Sequence, residues 1–369
     1  MMDRRAVLIG LALTSAACIR RKPLLRSDLI SAAADDAERP VLLRVSGDGE
    51  IVFSTSLSDR GHDAVRSPNK SVVTVFGRRP RRVIDQYRYR DGKHLRSTET
   101  PSNRHLYGHG LYSRDGRWLF TSENDLDYGQ GVIVVRDART LTVEHEFSSH
   151  GIGPHEMRWA DNGQTLIVAN GGIATHPDYG REPLNIDTME PSLVKIDVKT
   201  GALMDRRVPA MPQSSVRHID VLNNGETLVG LQHQDKSYGS SPLVVSADWR
   251  STTDDDRLAP LSANVADVQA LNNYTASVCC DPETGVAVVT SPRGHRVSFW
   301  DTSSRRHLRS YRLSDVAGVG FDRRAREFVI SSGRGMLYRF AIPGIENGEM
   351  RKTRIESFRF DNHLTVIDT

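Results

Sequence analysis

Short β-branched runs recur along this chain, each closed by a tight turn, and no long amphipathic helix interrupts them past residue 40. Such runs are strands, because alternate side chains on a strand face opposite sides. They group into units of about 40 to 60 residues, the spacing of propeller blades. One unit starts at His109 with HGLYS, the turn RDG, WLFTS, GVIVVRD and VEHEF. The next starts at His155 with HEMRW, DNG, TLIVAN, SLVKID and LMDRRV, and a third at His218 with HIDVL, NNG, ETLVGLQ and PLVVS. Others begin at His62, near Tyr274 and near Val316. Each is a four-strand meander that must stack on neighbours to bury its faces. In three units the third strand ends on an acid, Asp137, Asp197 or Asp301. An Asp there is expected to accept hydrogen bonds from the following turn.

Two pieces remain, residues 42–56 at one end and 363–368 at the other. Neither makes a blade alone, but together they do, with the C-terminal strand innermost. The expected fold is all-β: a seven-bladed β-propeller of four-stranded antiparallel blades, its ring closed by the N- and C-terminal strands. Sealing the ring removes the open sheet edge that would otherwise aggregate. The propeller is expected to span residues 40–369, after a linker over 18–39.

Five units share a histidine at the start of the innermost strand: His62 in RGHDAV, His109 in YGHGLY, His155 in GPHEMR, His218 in VRHIDV and His363 in DNHLTV. The units near Tyr274 and Val316 lack it. Strand parity puts the start of the inner strand on the same face as the loop between the second and third strands. Those loops are long and chemically rich, notably 122–131, 170–192 and 232–242, while the opposite ones are terse DG and NG turns. Long loops on one face of a rigid scaffold usually carry function. They supply Glu123, Asp125, His176, Asp178, Asn185 and His233 with Arg181, Arg293 and Arg334, and the segment SHGIGPH adds His150.

Imidazole nitrogens suit Zn, Cu, Fe and Ni, whereas Ca and Mg want oxygen. The expected metal set is therefore His62, His109, His150, His155, His218 and His363, around Fe, Cu or Zn. A rival reading is an anion held by Arg60, Arg181, Arg293 and Arg334 with neutral imidazoles as donors. A third makes the repeated histidines inter-blade struts. No nucleophile elbow, phosphate loop or dinucleotide fingerprint is present.

The N-terminus reads as an export signal over residues 1–17. Arg4-Arg5 precedes an uncharged run of about a dozen residues, too short to span a membrane. The paired arginines resemble a twin-arginine signal, and Cys18 behind Ser15-Ala16-Ala17 offers a lipidation alternative, the one route to a membrane. Lys plus Arg (49) against Asp plus Glu (46) gives a net charge of +3, which carries no nucleic-acid footprint. Adjacent Cys279 and Cys280 are expected to be buried packing thiols, since neighbours pair only under strain.

The segments RHLYGHGLYSRDGRWLFTSEND, SHGIGPHEM, VANGGIATHPDYGR, LNIDTMEPSL, VRHIDV and SPRGHR together resemble domain-of-unknown-function family 1513. The likeness runs from about residue 40 to DNHL near the end, and all six histidines stand at matching motif positions. Leu106 replaces a Phe of the family's RHFYGHG-like motif. The resemblance implies a YVTN- or quinoprotein-like propeller in the periplasm, and an imelysin-like protein of iron uptake as partner. The expected function is a periplasmic metal-handling protein for iron or copper. The alternatives are a metal-dependent hydrolase or oxidase at the same site, or a protein-docking scaffold.

Overall fold

The computed structural model describes residues 25–180, 182–251 and 255–367. Residues 1–17 and Cys18, and with them the export reading, lie outside these, as does Arg181. Seven antiparallel sheets stand around a central channel. Six are consecutive four-strand meanders whose inner strands are Gly61–Arg66, Arg104–Tyr112, Pro154–Ala160, Ser214–Val221, Val278–Cys280 and Val316–Asp322. These are blades one to six in chain order. The only α-helix among the described residues is the single turn Val265–Gln269, leading into blade five.

The closing blade mixes both ends of the chain, as expected, but its make-up corrects the reading of 18–39 as linker. Asp28–Asp35 is its second strand, paired along one edge with Pro40–Val45 and along the other with both Phe358–Phe360 and Thr365–Ile367. The propeller thus begins a full strand before residue 40. The segment DLISAAAD hides its nature because it carries three alanines where strands usually carry β-branched residues. Small side chains are needed there: Ala32 packs so close to the next inner strand that a side chain on Gly61 would stand 3.0 Å from its Cβ.

The core is a set of seams. Seven apolar clusters occur among the described residues, and each joins two adjacent blades. Phe76 and Ile84 of blade one meet Leu106, Leu119 and Leu141 of blade two. Leu29, Ala33 and Leu43 of the closing blade meet Val329 and Leu337 of blade six. Because the seams run all the way round, each sheet is buried on both faces near the axis. Its outermost strand stays wet, as the exposure pattern of Val143–Ser148 and Ile51–Ser56 shows. The acids that end third strands act as anticipated. Asp137 accepts from the amides of Arg139 and Thr140 (2.9 and 2.8 Å), Asp197 from Thr200 and Asp301 from Ser303. Cys280 is buried and Cys279 half-buried, neither in a disulfide.

Candidate metal centre

Each inner strand that carries a histidine is disturbed beside it. The pairing register shifts between Gly61 and Asp63, Leu106 and Gly110, Pro154 and Glu156, and Val216 and His218. These are bulges, and a bulge re-aims a side chain out of the plane of its sheet. In the closing blade the break between Phe358–Phe360 and Thr365–Ile367 does the same for His363. All five imidazoles turn into the channel and meet there.

Ring centroids lie 4.5 Å apart for His62–His363 and His109–His363, 4.7 Å for His155–His218 and 4.9 Å for His62–His109 and His109–His155. His218–His363 closes the circuit at 5.0 Å. Two triads bring ligand atoms within 4.8 Å of one another: His62, His109 and His363, and His109, His155 and His218. His109 belongs to both.

Carboxylates orient two of the rings from behind. His109 Nδ1 meets Asp63 Oδ2 at 3.2 Å, and His218 Nδ1 meets Glu156 Oε2 at the same distance. In each case the acid follows the histidine of the preceding blade, in the dipeptides His62-Asp63 and His155-Glu156. With Nδ1–H donated to a carboxylate, Nε2 carries the lone pair, the arrangement of metal-ligating histidines. Glu156 also accepts the Ile219 amide (2.8 Å) and pairs with Arg158 at 2.5 Å. Burial would raise its carboxyl, but Arg158 and His218 outweigh that and hold it well below the usual range.

Within this ring of five histidines, four nitrogens are buried without a hydrogen-bond partner: Nδ1 of His62 and His155, and Nε2 of His109 and His363. Orphaned buried nitrogens are costly unless something binds them. Burial, seconded by the neighbouring histidines, drives His62, His155 and His363 well below the normal imidazole range, and burial also lowers His218. These four rings are held toward the neutral form that a cation site requires.

The ring divides the channel. Above it, a cavity of about 90 Å³ is lined by Arg78, Arg79, Tyr107, Arg217, Gln232 and Tyr274. Below it, a chamber of about 310 Å³ holds Asp63, Glu156, Arg158, Asp220 and Cys279.

Not every expected residue takes part. His150 has a positive φ of 53° and sends Nε2 to the Gly201 carbonyl at 2.9 Å, so it is a strut between blades two and three and no member of the ring. Arg293 is exposed and stacks on Tyr274 at 4.2 Å, at the cavity's rim. Arg334 lines a separate surface groove with Arg354 and Arg359. Arg60 pairs with Asp361 at 2.6 Å. His233 is held by Ser214, and Glu123 is buried against Arg136 at 2.7 Å. The arginines over the ring are instead Arg78, Arg79 and Arg217. Strand parity places the GRRP loop on this face, and the His-acid dipeptides are the signal for Asp63 and Glu156.

A family model described as "Protein of unknown function (DUF1513)" matches residues 55–367. No curated protein matches the sequence. Among solved structures, hydrazine synthase of Kuenenia stuttgartiensis is similar with a TM-score of 0.61 at 12% identity, over 94% of this chain and 100% of that one. A functionally unknown protein from Desulfotomaculum acetoxidans DSM 771 gives 0.61 at 11% identity, over 92% and 98%. A chain of the mitotic checkpoint complex gives 0.57 at 13% identity, over 95% and 88%. At these identities the likeness is one of fold.

Proposed function

Since the chain belongs to the DUF1513 family, whose description assigns no activity, we propose from the geometry that it binds one transition-metal ion within the ring of five histidines. The observation that carries this is the convergence of five imidazoles with four orphaned buried nitrogens. An all-nitrogen donor set favours iron, copper or zinc over the hard cations. Asp63 and Glu156 serve the ring nitrogens from behind. The stoichiometry is one, because His109 has its Nδ1 on Asp63 and a single free nitrogen shared between the two triads. We place this binding in the periplasm, where the twin-arginine-like start would send a folded chain. The role is then metal handling beside an iron-uptake partner of the imelysin kind. Binding is favoured over turnover because four of the five histidines are buried and the cavity above them is only about 90 Å³.

Titration of purified protein with Fe²⁺, Cu²⁺ and Zn²⁺, with metal counted after gel filtration, tests the reading. Wild type should retain one ion per chain of at least one metal, and His109→Ala should retain none while keeping its melting transition. Equal retention by wild type and the variant, or none by either, would overturn it.

A further inference from the structure

The geometry points to a second component of this site: a small planar oxyanion, a carbonate or a carboxylate, seated directly above the imidazole ring as a co-ligand of the metal. The inference rests on the metal reading and deepens it.

Imidazole binds a metal as an uncharged ligand, so five of them leave the charge of a bound ion uncancelled in their own plane. The nearest carboxylates, Asp63 and Glu156, line the chamber below the ring. Above it the wall is positive, with three arginines around a cavity of about 90 Å³. Arg78 is tied to Asp361 at 3.1 Å. Arg79 lies over the Tyr107 ring at 5.7 Å, and its Nη1 is buried without a hydrogen-bond partner. The hydroxyls of Tyr107 and Thr175 are likewise buried and unpartnered, in residues only 3% and 5% exposed. Burial raises the Tyr107 phenol, while Arg79, Thr175 and Arg217 around it pull the other way, so these groups share one neighbourhood.

Arg79 Nη1 and the Tyr107 and Thr175 hydroxyls are thus donors with no hydrogen-bonded acceptor among the described residues. A bare cation approaching through it meets repulsion, whereas an anion, or a metal that arrives with one, meets attraction. The guanidinium fork matches a planar oxyanion, one edge of which can face arginine while an oxygen faces the metal. The cavity far exceeds the ~10–15 Å³ that one water needs, yet admits only a small group. Free bicarbonate or one carboxylate arm of a chelate such as citrate could supply it.

Co²⁺ serves as a visible probe. In bicarbonate-free buffer, wild-type protein is titrated with Co²⁺ alone, with bicarbonate, and with citrate. Bicarbonate should shift the cobalt absorption bands and tighten binding at least about tenfold, the scale of one charge-assisted hydrogen bond. The same shift from citrate alone would make a chelate arm the source. Arg79→Gln with Arg217→Gln should abolish the anion dependence. Tyr107→Phe, which keeps the aromatic packing, should weaken it and covers the case of a double variant that fails to fold. Co²⁺ binding indifferent to both anions, or anion dependence that survives in the folded variants, overturns the proposal and leaves the metal reading standing. No Co²⁺ binding in any buffer removes both.

Discussion

Burial, reinforced by their neighbours, keeps His62, His155 and His363 uncharged, and this ties stability to pH. Their folded-state pKa values lie below the unfolded imidazole value of about 6.5, so the unfolded chain binds more protons as pH falls. The stability is fully present above that value and is lost as pH drops from there toward the depressed folded values. Glu156, also depressed, adds a loss of the same sign at lower pH. The melting temperature of metal-free protein should therefore be flat from pH 8 to about 7 and fall steadily below about 6.5. A saturating metal should push the fall to lower pH, and thermal scans across that range in both states check it. A flat profile down to pH 5 would mean that the rings are solvated. At this scale the five ring histidines were legible because they repeat in register. His150 looked equivalent only in its spacing, since a local left-handed turn cannot be read from SHGIGPH. The arginines over the ring are harder to read, since Arg78 and Arg79 follow a strand end in a short turn and Arg217 sits inside a strand.

Among the elements, the inner strand of blade two shows how a bulge is tuned. Gly108 has φ +101°, and a Cβ built there would stand 2.4 Å from His62 Cδ2. The residue before His109 thus has no side chain because the ring of the preceding blade occupies that space. Gly108→Ala is expected to displace His62, break the triad with His109 and His363, and lower metal affinity by at least about tenfold, on the scale of losing ligand positioning. Circular dichroism should still report β-structure, since the seam between blades one and two lies elsewhere, at Phe76, Leu106 and Leu119. Unchanged affinity by metal titration would show that His62 is not a ligand. The strands themselves were readable from β-branched runs and DG or NG turns. The bulges were not, because one extra residue in a pair leaves no mark on composition. Asp28–Asp35 was missed for the opposite reason: its alanines follow from tight packing that only the assembled ring imposes.

For the whole molecule, closure is the decisive feature. The inner strand of the last blade comes from the C-terminus and the other three from the N-terminal part. Truncation after Asp361 removes Thr365–Ile367 and His363 together, and it uncovers the edge of Asp28–Asp35. We expect a truncated chain to lose solubility and cooperative melting, because an exposed strand edge invites pairing between molecules. Light scattering and calorimetry would report this, and wild-type behaviour would argue that the ring holds without its clasp. The two leftover half-blades made this joint predictable, while the width of the channel and the meeting of the rings within it follow from seven blades packed at once.

The joint has a consequence in time. A ribosome makes His62 first of the five ring histidines and His363 last, about 300 residues later. The fifth imidazole, and the sealed ring that aims it, do not exist until all six consecutive blades have been made. An ion caught between His62, His109 and His363 would hold the first blade, the second and the tail of the chain at one point. Loading is then an event of the closed ring, and a chain cut short before His363 carries most of the ligands but not the lock.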